Sequence, residues 1–124
     1  MKSREGLIRL KRFQVDEKRR QVTQIETMIA EFERMAKDLD DQINAEQERS
    51  GIRDVTHFAY PTFAKAARLR RDNLKNSQSD LAQQKKAIES LLAEAEAELS
   101  KAEMLESRDL KPREAESGRG AMVG

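Results

Sequence analysis

Ile8, Val15, Val22, Ile29, Ala36 and Ile43 stand seven residues apart, and no Gly or Pro falls between Gly6 and Gly51 to interrupt them. Ile25, Phe32 and Leu39 form a second set, three residues further on. That spacing is the a/d seam of a long helix that packs against another helix. At 1.5 Å per residue such a helix would extend roughly 65–70 Å. Ser50-Gly51 supplies the stop, because Gly tolerates the left-handed backbone that ends helices.

The second half repeats the pattern. Ala67, Leu74, Leu81, Ile88, Ala95 and Ala102 are seven apart, with Leu92 and Leu99 interleaved. Pro61 suits the first turn of a helix, where its missing N–H is no loss, and the next Pro is Pro112. Two helices joined by about ten residues are the economical reading. The spans are helix 1 over 3–49, a hinge over 50–60 and helix 2 over 61–108, in one hairpin domain of residues 1–110. The remaining segment, 111–124, has Pro, Gly and Ser without periodicity and reads as a disordered tail.

With a hinge near residue 55, partners across an antiparallel hairpin have numbers that sum to about 110. Six apolar layers satisfy this at once: Ile8 with Ala102, Val15 with Ala95, Val22 with Ile88, Ile29 with Leu81, Ala36 with Leu74, and Ile43 with Ala67. Charge favours the same orientation. The basic start faces acidic Glu94, Glu98 and Glu103, and the acidic stretch Glu26–Glu48 faces Lys65, Arg68 and Arg71. A parallel pairing would set like against like. The expected fold class is therefore all-α, an antiparallel two-helix coiled-coil hairpin with a disordered C-terminal tail.

The alternate layers are mixed. Ile25 falls opposite Lys85, Phe32 opposite Gln78 and Leu39 opposite Arg71, while Lys11 meets Leu99 and Lys18 meets Leu92. Met28 and Met35 widen the apolar face of helix 1, so Ile25, Met28, Phe32, Met35 and Leu39 form a candidate exposed strip. Flexible Met is common on adaptable binding surfaces. The alternative is that long Lys and Arg stems cover the strip.

Composition narrows the function classes. The chain has 124 residues, of which 38% are charged and 4% aromatic, and its net charge is +1. That is the bias of long helices rather than of a thick core. Cys is absent and His57 is the single His, so thiolate and multi-His metal sites are excluded. No Gly-rich phosphate loop appears. Carboxylate pairs such as Glu94 and Glu98 lie among Lys residues and read as solvated faces. A two-helix hairpin offers no concave, water-poor interior for catalysis, so the expectation is a non-enzyme with no cofactor and no small-molecule substrate. No apolar run approaches a membrane span, and the start MKSREGLIRLKRFQ is charged where a signal peptide would be apolar. The expected location is the cytoplasm. The basic start could track phosphates or anionic lipid, but its acidic partner helix would neutralise it, so nucleic acid is not an expected partner.

One block stands apart. HFAYPTF, residues 57–63, holds the single His, the single Tyr, two of the four Phe and one of the two Pro. His57 and Pro61 suit a turn and a helix start. Tyr60 and Phe63, one helical turn apart, read as a partner-facing patch, and a local cap over the hinge is the competing reading.

The start LIRLKRFQVDEKRRQV, the uninterrupted first helix and HFAYPTFAKAARLRRDNL at the second resemble the FliJ-type flagellar export proteins of bacteria, most closely the alphaproteobacterial branch. The resemblance covers roughly residues 1–105, with Tyr60-x-x-Phe63 its most specific part. It implies a cytoplasmic component of the flagellar type III export apparatus, peripheral to the inner membrane at the flagellar base. Such a protein is a stalk like the γ subunit of rotary ATPases, which couples the hexameric export ATPase to the membrane export gate. Substrate chaperones are further implied partners. The implied gate-facing set is Tyr60, Phe63, Ala67, Arg70 and Leu74, where Ala67, Arg70, Leu74 and Pro61 depart from more distant members. The implied ATPase-facing set is Arg4, Ile8, Arg9, Lys11, Arg12, Lys18 and Arg19. The competing readings are a generic cytoplasmic coiled-coil adaptor or chaperone without an ATPase, and a basic helical nucleic-acid binder.

Overall fold

The computed structural model describes the backbone of residues 2–123 and the side chains of residues 4–109. The disordered tail expected over 111–124 falls outside the residues whose side chains are described. Two long helices pack against each other, α1 over Lys2–Ser50 and α2 over Thr62–Val123. The contacts divide the chain into two units. One joins residues 1–21 to 88–124, and the other spans residues 22–87 and contains the hinge.

In the hinge unit, Leu39, Ile43 and Ala67 form the buried core, and Leu74 packs against it. Ile25, Ala36, Ala64 and Leu81 are also buried. The layers Ile29–Leu81, Ala36–Leu74 and Ile43–Ala67 thus consist of buried or half-buried residues, as the seven-residue spacing requires. Arg71 donates to Asp40 at 2.9 Å, within one residue of the expected register. In the unit of the two chain ends, Ile8, Val15 and Ala102 are buried and Leu92, Ala95 and Leu99 half-buried. There Lys11 donates to Glu98 at 2.7 Å, again within one residue of register. Val22 and Ile88 are each half-buried.

The mixed layers are closed by polar side chains. Lys11, Lys18, Arg71, Gln78 and Lys85 are all half-buried. Only 17% of the Arg71 side chain is exposed, and its guanidinium bonds Asp40 and Asp72. Gln78 Nε2 donates to the Ile29 carbonyl at 3.4 Å. Lys11, Arg71 and Gln78 thus bring their polar ends to partners from within the seam, and among the described residues no buried side-chain nitrogen or oxygen lacks one.

This corrects the expected exposed strip. Ile25 and Leu39 are buried and Phe32 is half-buried, while Met28 and Met35 are exposed. Residues 25, 32 and 39 keep the seven-residue period and face α2, whereas 28 and 35 lie to the side. The depression beside Met35 is otherwise lined by charged residues, among them Glu31, Arg34 and Asp38. Ile25, Phe32 and Leu39 are part of the seam, and Met28 and Met35 alone remain exposed.

The seam carries the stability. Ile43→Ala removes a buried side chain that a two-helix unit cannot refill by collapse, so it should cost about 2–4 kcal/mol in urea unfolding. Met35→Ala, at an exposed position, should stay within about 0.5 kcal/mol of the parent.

Candidate functional site

The hinge is built by local hydrogen bonding, not by the seam. α1 ends where Gly51 takes a φ of 73°. Its N–H donates to the Gln47 carbonyl at 2.9 Å, the single bond of a left-handed helix cap. The Ser50 hydroxyl accepts from the Ile52 N–H at 3.2 Å. Asp54 Oδ1 then accepts from the Thr56 N–H at 3.0 Å and the Thr56 hydroxyl at 2.7 Å, which nucleates a tight turn. Two turns follow in succession: the His57 N–H donates to the Asp54 carbonyl and the Tyr60 N–H to the His57 carbonyl. The Lys65 N–H donates to the Pro61 carbonyl at 3.0 Å, so Pro61 stands just ahead of α2 and accepts its first bond.

His57 is a turn residue, as its position in the sequence implies. Its Nδ1 accepts from the Ala59 N–H at 3.0 Å, and its ring stacks on Phe58 with centroids 4.8 Å apart. Among the described residues, no group of three His, Cys, Asp or Glu is placed to hold a metal ion.

The two aromatics expected to act as a pair separate. Tyr60 is buried, at 8% exposure, and its hydroxyl accepts from Gln47 Nε2 at 2.9 Å, itself a buried amide. Phe63 is 56% exposed. Tyr60 stands in the turn ahead of α2, and its bond to Gln47 at the end of α1 closes the hinge. Ala67 is buried and Leu74 half-buried because they lie on the α2 seam. Of the five residues in the gate-facing set, Tyr60, Ala67 and Leu74 therefore turn inward, and Phe63 and Arg70 remain on the surface.

The basic start divides in the same way. Ile8 belongs to the seam, and Lys11 and Lys18 are half-buried against it. Arg4 pairs with Asp109, Arg12 with Glu103 at 3.6 Å, and Arg19 with Asp16 at 3.9 Å on its own helix. Arg9 is exposed. Most of these cations already have carboxylate partners within the chain, and exposed pairs of this kind are each worth little.

The strongest exposed apolar features of the hinge were not singled out by periodicity. Phe58 is 97% exposed, the most open large apolar side chain among the described residues. Val55 and Leu69 are also exposed. With Thr62, Lys65, Ala66, Arg68 and Asp72 they line a shallow groove of about 510 Å³. Leu69 is the sequence signal for this groove, an aliphatic that fits neither heptad set. Phe58 carried only its place inside HFAYPTF. An apolar floor rimmed by Lys65 and Arg68, with Phe58 and Phe63 on the same unit, has the character of a protein-docking surface.

Two carboxylates tie stability to pH. The Thr56 side-chain and backbone hydrogen bonds hold Asp54 below its ordinary carboxylate value. The hydrogen bond from Lys11, then its charge, does the same for Glu98. A lowered folded-state value means stability present above the ordinary carboxylate range and lost as pH falls through the folded value. The melting temperature should therefore drop as pH is lowered below the ordinary range, and Glu98→Gln should make that drop smaller. In urea unfolding at neutral pH, Tyr60→Phe strands the Gln47 amide and should cost about 1–2 kcal/mol. Phe58→Ala should cost less than about 0.5 kcal/mol, as an exposed substitution.

Comparisons with protein-family models, with curated proteins and with solved structures return no match. Among the described residues, no helix is long and apolar enough to cross a membrane.

Proposed function

We propose that this chain is a non-enzymatic component of the bacterial flagellar type III export apparatus. In this reading it is a γ-like stalk that couples the hexameric export ATPase to the membrane export gate. It works at the cytoplasmic face of the inner membrane at the flagellar base and assists delivery of substrates by their chaperones. The resemblance in LIRLKRFQVDEKRRQV and HFAYPTFAKAARLRRDNL motivates the reading. The observation that carries it is the exposed apolar surface of the hinge, Phe58, Phe63 and the Val55–Leu69 groove, on a chain whose core is otherwise one narrow seam.

Such a surface costs free energy while it faces water and returns it on docking, roughly 25 cal/mol per Å² of apolar area removed from solvent. The gate is its assigned partner. Phe63 and Arg70 replace the original five-residue set, joined by Phe58 and Leu69. The ATPase is assigned to the unit that holds the chain ends, with Arg9 and the outward faces of Arg4, Arg12 and Arg19 as the basic contacts. The protein hydrolyses nothing itself and takes no cofactor.

Two assays test the assignment. Purified chain should raise hexamer formation or ATP hydrolysis by the export ATPase; no change at saturating concentration contradicts the stalk reading and leaves a generic coiled-coil adaptor. Phe63→Ala and Phe58→Ala should weaken binding to the cytoplasmic part of the gate while circular dichroism stays unchanged. Equal binding by both variants removes the hinge from the interface.

A further inference from the structure

The unit formed by residues 1–21 and 88–124 has an apolar face that its own seam does not use. Leu7, Leu10 and Phe13 on α1 and Leu91 and Leu105 on α2 are exposed, Phe13 by 58%. Leu7, Leu10 and Phe13 follow at three-residue steps, so they run along one side of α1. A groove of about 490 Å³ joins that side to α2, lined by Phe13, Gln14 and Lys18 from one helix and Leu91, Glu94 and Glu98 from the other. The face therefore spans both helices.

The two helices carry opposite charge. Between residues 4 and 21, α1 has seven Lys and Arg against three Asp and Glu. Between residues 88 and 109, α2 has two against seven. A membrane or nucleic acid, being of one sign, would be attracted by one helix and repelled by its neighbour. What matches both is a surface with the same two stripes in exchanged positions, and this chain is such a surface.

We infer that this face binds a second copy of the chain in an isologous dimer, α1 of each copy lying on α2 of the other. Charge selects the geometry. A two-fold axis parallel to the helices sets basic α1 over acidic α2, whereas an axis across them sets α1 on α1 and α2 on α2, like against like. The parallel axis also preserves height along the helices, so the register that relates α1 to α2 within one copy relates them between copies. Leu7 then lies level with Glu103 of the second copy, two residues from its Leu105, and Gln21 with its Glu89, two residues from its Leu91. The exposed leucines and Phe13 form the buried centre, with Lys18, Glu94 and Glu98 at its edge. The inference is independent of the export reading, since it needs neither ATPase nor gate.

Sedimentation equilibrium on the full chain tests it. The mass should rise with concentration from the 14.2 kDa of one chain toward twice that value. Phe13→Glu and Leu91→Glu should each weaken association about tenfold or more with helix content retained, while Met35→Glu, in the other unit, should not. A single-chain mass into the millimolar range overturns the proposal, as does a Met35→Glu effect equal to that of Phe13→Glu. The chain has no Cys, so orientation can be read from mixed single-cysteine variants that leave the leucines intact. Gln14→Cys mixed with Glu94→Cys should give mainly the heterologous disulfide. Predominant cross-linking of Gln14→Cys to itself overturns the proposed pairing.

Discussion

Packing of α1 against α2 along one seven-residue seam is the interaction on which the rest of the structure depends. Two helices share a single mutual face, so a seam position must be apolar or must carry a stem long enough to return its polar end to a partner. Ile43 and Ala67 solve the problem the first way. Lys11 and Arg71 solve it the second way, through Glu98 and Asp40. An unpartnered buried charge in either layer would cost more than the layer contributes, so the ion pairs act more as conditions on the register than as sources of stability.

The same constraint divides the hinge. On α2 the seven-residue step draws Ala67, Leu74 and Leu81 inward and leaves Phe63 out. Phe58 and Tyr60 both lie in the loop, where no step applies, and Tyr60 is drawn inward by its bond to Gln47. Adjacent aromatics in one heptapeptide thus take different roles, Tyr60 as the hydrogen-bonded closure over Gln47 and Phe58 and Phe63 as solvent-facing surface. A hinge held by its own turns and closed by Tyr60 has no structural need of those two phenylalanines, which is why their exposure bears on function.

The helices, their ends near Ser50 and Pro61, the antiparallel register and the seam residues were legible in the sequence because periodicity and the Gly and Pro positions encode them directly. Three features were not. The separation of exposed Met28 and Met35 from buried Ile25 and Leu39 depends on how wide a face of α1 meets α2, which spacing along one helix does not give. The burial of Tyr60 follows from one side-chain bond to Gln47 across the hinge, which no periodicity encodes. The exposure of Phe58 follows from the Asp54 and His57 turns, whose hydrogen bonds set the path of residues 54–60 without any repeating pattern. Short loops are fixed by such specific contacts, and their side-chain directions are correspondingly hard to read beforehand.

The central claim is that the hinge's exposed apolar residues, not its seam residues, meet the export machinery. Site-specific photo-cross-linking in flagellated cells tests this most directly, with a benzophenone side chain placed in turn at Phe58, Phe63, Leu69, Met28 and Met35. The account predicts adducts with the export-gate protein from Phe58, Phe63 and Leu69 and none from the two methionine positions. Gate adducts from Met28 or Met35 alone, or no gate adduct from any hinge position, would contradict it.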